Sequence, residues 1–317
     1  MLETVAGTAG RIPQGIFGFS FWSWQGNQAS YEQSQWLSYL LIVGAFFTLG
    51  SFFFFRTQLT SFYHRHTRTV LISFQAYSGL LLVLSAFRAI LLGVGNYPNL
   101  WEIIPLHFCR LFVVVMAAAL LVRKTTCIKY GGFFAILGAI FGLMLTDLKN
   151  SPFWIERGGI AIGYDSYLFW DFLIIHISSM LIPGYFLTIN QFCYSKRTVL
   201  GAAMGLIGLT IVIFGLDWGL SYAADPRWRA NWFYLAPDEY NSVYAMLATL
   251  VGPLARWPWI LLGFIMLGLI LYALCFLIYF WLNRFHFIID RASKRIRLVS
   301  QEPQLWYHFK ATRFFYR

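Results

Sequence analysis

Charge is what this chain has least of. Of 317 residues only 12% are Asp, Glu, Lys or Arg, while 59% are hydrophobic and 20% aromatic; a soluble domain carries about twice that charge. A chain so poor in polar side chains cannot cover its own surface against water, which excludes an ordinary soluble enzyme. Acids are scarcer than bases, 13 against 24 Lys and Arg. The four cysteines, Cys109, Cys127, Cys193 and Cys275, are scattered and lack a CxxC spacing, so they offer neither a disulfide framework nor a cysteine-based metal site. With no Gly-rich phosphate loop and no dinucleotide fingerprint, no cofactor is expected. Residues 1–33 lack a basic start followed by an apolar core, so no cleavable signal is read there. No internal repeat or linker divides the chain.

What is present is long apolar stretches. Seven could cross roughly 30 Å of hydrocarbon as helices: Ser34 to Phe55, Thr69 to Val94, Ile103 to Val122, Tyr130 to Leu148, Tyr167 to Cys193, Thr198 to Leu216 and Trp257 to Leu282. The expected fold is all-α, a polytopic seven-helix membrane bundle. It divides into an N-terminal segment 1–33, a transmembrane domain 34–283 with a loop at 218–256, and a basic tail 284–317. Gly138 with Gly142, and Gly201 with Gly205, form small-xxx-small faces suited to close helix packing. Pro183 and Pro253 are candidate helix breaks.

The basic residues are distributed unevenly. The loops after the first, third and fifth spans hold Arg56, Arg65, Arg68, Arg123, Lys124, Lys129, Lys196 and Arg197, with no acid. With the tail, that side carries sixteen Lys and Arg against six on the other. The positive-inside rule then puts the N-terminus outside and the C-terminus inside, in the cell membrane. The net charge of +11 reads as a membrane-surface feature rather than a nucleic-acid signature. Anionic lipid heads would attract Arg291, Lys294, Arg295 and Arg297, or the tail is a solvated anchor that only fixes topology.

This topology sorts the reactive groups. Cys109 is the one cysteine in the outer half, and His107 and His176 are the histidines that share it. With 1.5 Å of rise per residue, Cys109 lies about 9 Å and His176 about 14 Å into their spans, so contact between them is allowed. Arg88, Arg110, Asp147, Asp171 and Asp217 fall in the same half, and charges from five helices at one depth suggest a polar cavity. A thiol is a poor nucleophile until deprotonated, so a catalytic Cys109 needs a base, and His176 can take the proton and return it to a leaving group. Helix-dipole help is expected to be modest, because Pro105 suits a first turn and puts Cys109 past it. His107 and Cys109 are about 200° apart on a helix, which leaves His107 either oxyanion support or plain packing. Arg88 and Arg110 could grip a lipid phosphate, or neutralise Asp171 or Asp217. Asn231 is either a polar contributor to the cavity or a satisfied loop residue. Without an i, i+4 ligand pair on one helix, zinc is not expected; without Lys in the seventh span, neither is a retinal Schiff base.

Pro105-Leu106-His107-Phe108-Cys109, then His176, then Asn231-Trp232-Phe233-Tyr234-Leu235 and Val251-Gly252-Pro253-Leu254-Ala255-Arg256-Trp257-Pro258-Trp259 form an ordered set. From Ile103 to Leu282 the chain resembles the bacterial YwaF-type integral-membrane family, which is similar to eukaryotic membrane acyltransferases that remodel ether phospholipids through a Cys and a His on separate helices. The resemblance implies Cys109 as nucleophile and His176 as its base. Arg110 departs from the acidic residue expected after the Cys, and Asn231-Trp232 from the usual Asn-Tyr. The expected function is acyl transfer from a phospholipid through a Cys thioester to a lysolipid or lipoprotein acceptor. The alternative is a non-catalytic seven-helix transporter or receptor with a buried polar pocket.

Overall fold

A computed structural model describes residues 31–95, 97, 99–145, 163–164, 166–190, 192–223, 225–233, 235–236, 252–290, 295–300 and 304–312. Residues 1–30, Asp147 and much of the loop 218–256 therefore lie outside the described residues.

The apolar stretches fold as helices because a backbone surrounded by hydrocarbon must satisfy its own N–H and C=O groups. In chain order they are α1 (Tyr31–Phe54), the short α2 (Arg56–Arg65), α3 (Thr67–Val94), α4 (Phe108–Leu121), α5 (Thr126–Leu145), α6 (Tyr167–Asn190), α7 (Lys196–Ser221) and α8 (Ile260–Leu282). Among the described residues, seven helices are long and apolar enough to cross a membrane, the expected seven-helix bundle. The fourth expected span, Tyr130 to Leu148, begins earlier, at Thr126.

Helix α6 is the hub. Of its apolar window 72% is buried, against 17–44% in the other six spans. It runs unbroken through Pro183, while Pro253 sits in the 3-10 turn Gly252–Ala255. The two glycine pairs have different fates. Gly138 and Gly142 on α5 lie under side chains of α4 and α6, whereas Gly201 and Gly205 on α7 have nothing within 4 Å of where a Cβ would stand. Identical spacing thus marks one packed face and one open one.

The antiparallel run of the helices gives the bundle two ends. One, the Cys109 end, holds the 3-10 turn Leu100–Ile103 and the start of α6. The other, the tail end, gathers the basic loops and the C-terminal segment. The described part of that segment is folded, although its charge-rich sequence reads as a solvated tail: β1 (Phe285–Asp290) and β2 (Arg295–Ser300) form an antiparallel hairpin, followed by α9 (Gln304–Ala311). Leu305 is buried, and Trp306 and Phe309 pack on Phe280 of α8. Arg56, at the start of α2, reaches across to donate to the carbonyl and Oδ1 of Asn283 and to His286 Nδ1.

Candidate functional site

The site begins with an interruption in the third span. Proline restricts the residue before it to extended backbone, and Ile104 obeys, with φ −81° and ψ 123°. The helix can therefore start no earlier than Pro105. His107 takes the N-cap position with φ −57° and ψ 134°, and α4 begins at Phe108. Cys109 is thus in the first turn, not past it. The expectation of modest dipole help is corrected by this start, because first-turn N–H groups have no intrahelical partner and favour negative charge beside them. His107, outside the helix, is also freed from the 200° separation expected of two helical residues, and its ring stacks 6.5 Å from that of Trp101.

Cys109 and His176 meet the same stripe of α5. A Cβ on Gly138 would stand 3.3 Å from Cys109 Sγ, and one on Gly142 would overlap the His176 imidazole at Cδ2 and Nε2. Positions four apart on a helix have Cβ sites about 5–6 Å apart, so sulfur and imidazole are seated one turn from each other on a common floor. A second contact fixes the depth. Ser179 Oγ, three residues past His176 on α6, donates to the Cys109 carbonyl at 3.3 Å. Among the described residues no hydrogen bond joins Sγ to the imidazole.

The tautomer of His176 follows from its partner. Nδ1 lies 2.7 Å from the Phe172 carbonyl, which can only accept, so Nδ1 carries the proton and Nε2 keeps its lone pair. That free nitrogen lies on the edge facing Gly142. A larger residue at 142 would fill the space the base occupies.

Charges close the Cys109 end. Asp171, on α6 five residues before His176, receives both guanidinium nitrogens of Arg110, Nη1 on Oδ1 at 3.2 Å and Nη2 on Oδ2. Arg88 Nε lies 3.2 Å from the same Oδ2. Arg88 also bonds Glu102, Nη2 to Oε2 at 2.6 Å and Nη1 to the backbone carbonyl at 2.7 Å. Two arginines and two acids cancel. Of the two roles open to Arg88 and Arg110, the geometry supplies neutralisation of Asp171. Asp217 does not join them. It is fully buried, and its Oδ1 accepts from the Trp232 backbone N–H at 3.1 Å. Depth along the span had grouped it with the others, but depth says nothing of direction around the bundle.

Residues 230–233 and 235–236 of loop 218–256 form a plug. Ala230, Trp232, Phe233, Leu235 and Ala236 are buried, Trp232 Nε1 donates to the Trp101 carbonyl at 3.2 Å, and Phe233 packs on Phe108 with ring centroids 5.2 Å apart. Asn231 Oδ1 accepts from the Ala236 N–H at 3.1 Å, which makes it a loop-bracing residue.

The TMEM164 family model matches residues 30–279, which take in all of this geometry. The chain belongs to the TMEM164 family. No curated protein and no solved structure matches it. Within this TMEM164 family member, Glu102, Ser179, Gly138 and Gly142 escaped sequence reasoning as site residues. Glu102 had a signal, as the acid between the second span and Cys109. Ser179 had one too, since it lies one turn from His176. The glycines read as packing alone, because sequence does not show what stands over them.

Proposed function

We propose that the protein is a membrane acyltransferase in which Cys109 is the nucleophile and His176 its base. The observation that carries the reading is the shared glycine floor, where Sγ and the unprotonated Nε2 lie within one helical turn. Supporting it are the first-turn place of Cys109, the resemblance of the chain to YwaF-type proteins and Cys/His acyltransferases, and the lack of any nucleotide-binding motif for a soluble acyl donor.

In this reading His176 Nε2 takes the thiol proton, and the thiolate attacks the ester carbonyl of a phospholipid. The C–O bond breaks, the lysolipid alkoxide takes the proton back from His176, and the acyl chain stays on Cys109 as a thioester. An acceptor hydroxyl or amine then gives its proton to His176, attacks the thioester and releases the thiol. The Arg110–Asp171–Arg88–Glu102 network holds the reactive turns of α4 and α6 together and carries no net charge into the step. The sulfur is buried, so an ester reaches it when Phe108 moves. That ring lies against Gly138 with Cys109 and carries Phe233 on it. The basic loops, gathered at the tail end, support an orientation with the Cys109 end on the outer side of the cell membrane by the positive-inside rule.

The test is exchange of labelled acyl chains between phospholipid and lysophospholipid by the purified protein in vesicles. Loss of exchange in Cys109→Ser and in His176→Ala supports the reading. Exchange that survives Cys109→Ala contradicts it, and solute flux that survives the same change favours a transporter.

A further inference from the structure

The hairpin at the tail end has a face whose outer half no described residue covers. In an antiparallel pair, directly opposed residues point to the same side and sides alternate along each strand. The register pairs Phe285 with Ser300, Phe287 with Leu298 and Ile289 with Ile296, so these six share one face; His286, Ile288, Asp290, Arg295, Arg297 and Val299 share the other. The first face is apolar apart from Ser300. On it Ile289, Ile296 and Leu298 are 43%, 61% and 56% exposed. Three such side chains left in water on a two-stranded sheet would be an aggregation liability.

Two observations identify what covers them. The first is continuity with the membrane-facing belt of the bundle. Phe285 packs on Trp281, itself 61% exposed at the end of α8, and Phe287 packs on Phe54 and Phe55 at the end of α1. The apolar face therefore begins on the rim of two membrane spans and extends outward from it. The second is charge. Residues 284–300 hold Arg284, Arg291, Lys294, Arg295 and Arg297 against the single acid Asp290, and Arg295 and Arg297 project from the face opposite Ile289, Ile296 and Leu298. An apolar face with cationic residues behind it fits the boundary of a bilayer rich in anionic lipid.

We infer that the hairpin is a membrane-docking element that lays Ile289, Ile296 and Leu298 into the acyl boundary of an anionic leaflet while Arg295 and Arg297 engage lipid phosphates. Its anchor on the protein side is the Arg56 link to Asn283 and His286, which holds the root of β1 against α2. The element is independent of the reaction proposed above.

Quenching of a single fluorescent residue in the full-length protein tests this, in vesicles of phosphatidylcholine with and without one-third phosphatidylglycerol. The fluorophore replaces Leu298 in one protein and Ile288, on the opposite face, in another. At position 298 brominated acyl chains are expected to quench at least about twofold more than aqueous iodide, with the order reversed at 288. Added phosphatidylglycerol should strengthen the lipid quench at 298, and Arg295→Gln with Arg297→Gln should remove that increment. Stronger iodide quenching at 298 in both vesicles, or the same quenching order at both positions, overturns the inference. An increment that persists without the two arginines overturns their role.

Discussion

Each end of the bundle buries an arginine, and the two are treated in opposite ways. Arg88 at the Cys109 end and Arg56 at the tail end are 9% and 8% exposed. Arg88 is met by two carboxylates, Glu102 and Asp171, the second shared with Arg110. Arg56 is met by groups that carry no charge, a backbone carbonyl, an amide oxygen and an imidazole nitrogen. The first arrangement cancels charge beside Cys109 with opposite charge. The second loses one of its three contacts when His286 Nδ1 has no lone pair to offer, so it is conditional. A buried cation can be held by countercharge or by dipoles, and the choice decides what perturbs it.

The comparison breaks first at Asp171. Removing one partner of a buried ionic network leaves uncompensated charge, at a cost of about 3–5 kcal/mol. Asp171→Asn strands both Arg88 and Arg110 with Glu102 alone, and thermal unfolding in nanodiscs should show the largest loss of any single substitution here. A melting temperature within a degree of the parent would contradict the network's role. Gly142→Val comes next. Overpacking typically costs about 1–3 kcal/mol, and here the added atoms meet the His176 imidazole, so acyl exchange should fall further than stability does. At the tail end Arg56→Met should cost about 1–3 kcal/mol, the penalty for a buried carbonyl left without a donor. Proteolysis of the hairpin should rise with it while exchange is retained.

A pH titration sharpens the contrast. Burial, and after it the charge of Arg56, push the His286 pKa below the ordinary histidine value. Above about pH 6.5 the imidazole is neutral in folded and unfolded chains alike. As pH falls below that, the unfolded chain takes up a proton that the folded one refuses, so stability drops until the folded pKa is reached. Melting curves from pH 8 to 5 should show this decline, and His286→Asn should flatten it. A decline of equal slope in that variant would assign the effect elsewhere. The smallest effect belongs to Asn231→Ala, which removes one loop hydrogen bond and should cost about 1 kcal/mol.

The seven spans were legible because hydrocarbon imposes a length and a composition that sequence displays directly. The azimuth of each side chain was not. Asp171 and Asp217 occupy similar depths, yet one faces two arginines and the other the plug, and only packing between helices decides which. Pro105 gave the right residue and the wrong consequence: it ends the extended approach rather than opening the helix, which moves Cys109 into the first turn. The hairpin left a trace in Arg295-Ile296-Arg297-Leu298, an alternation of period two, but the charge run from Arg291 to Arg295 reads as solvated tail. Gly138 and Gly142 were visible as a packing motif, whereas their role beneath Sγ and the imidazole required knowing what α4 and α6 place there.

Mass spectrometry of the Cys109 peptide, after incubating the purified protein with phospholipid vesicles, tests the central claim most directly. A hydroxylamine-sensitive acyl adduct on Cys109 is expected in the parent protein, with none in His176→Ala at matched folding. An unmodified Cys109 in a preparation that exchanges acyl chains would contradict it.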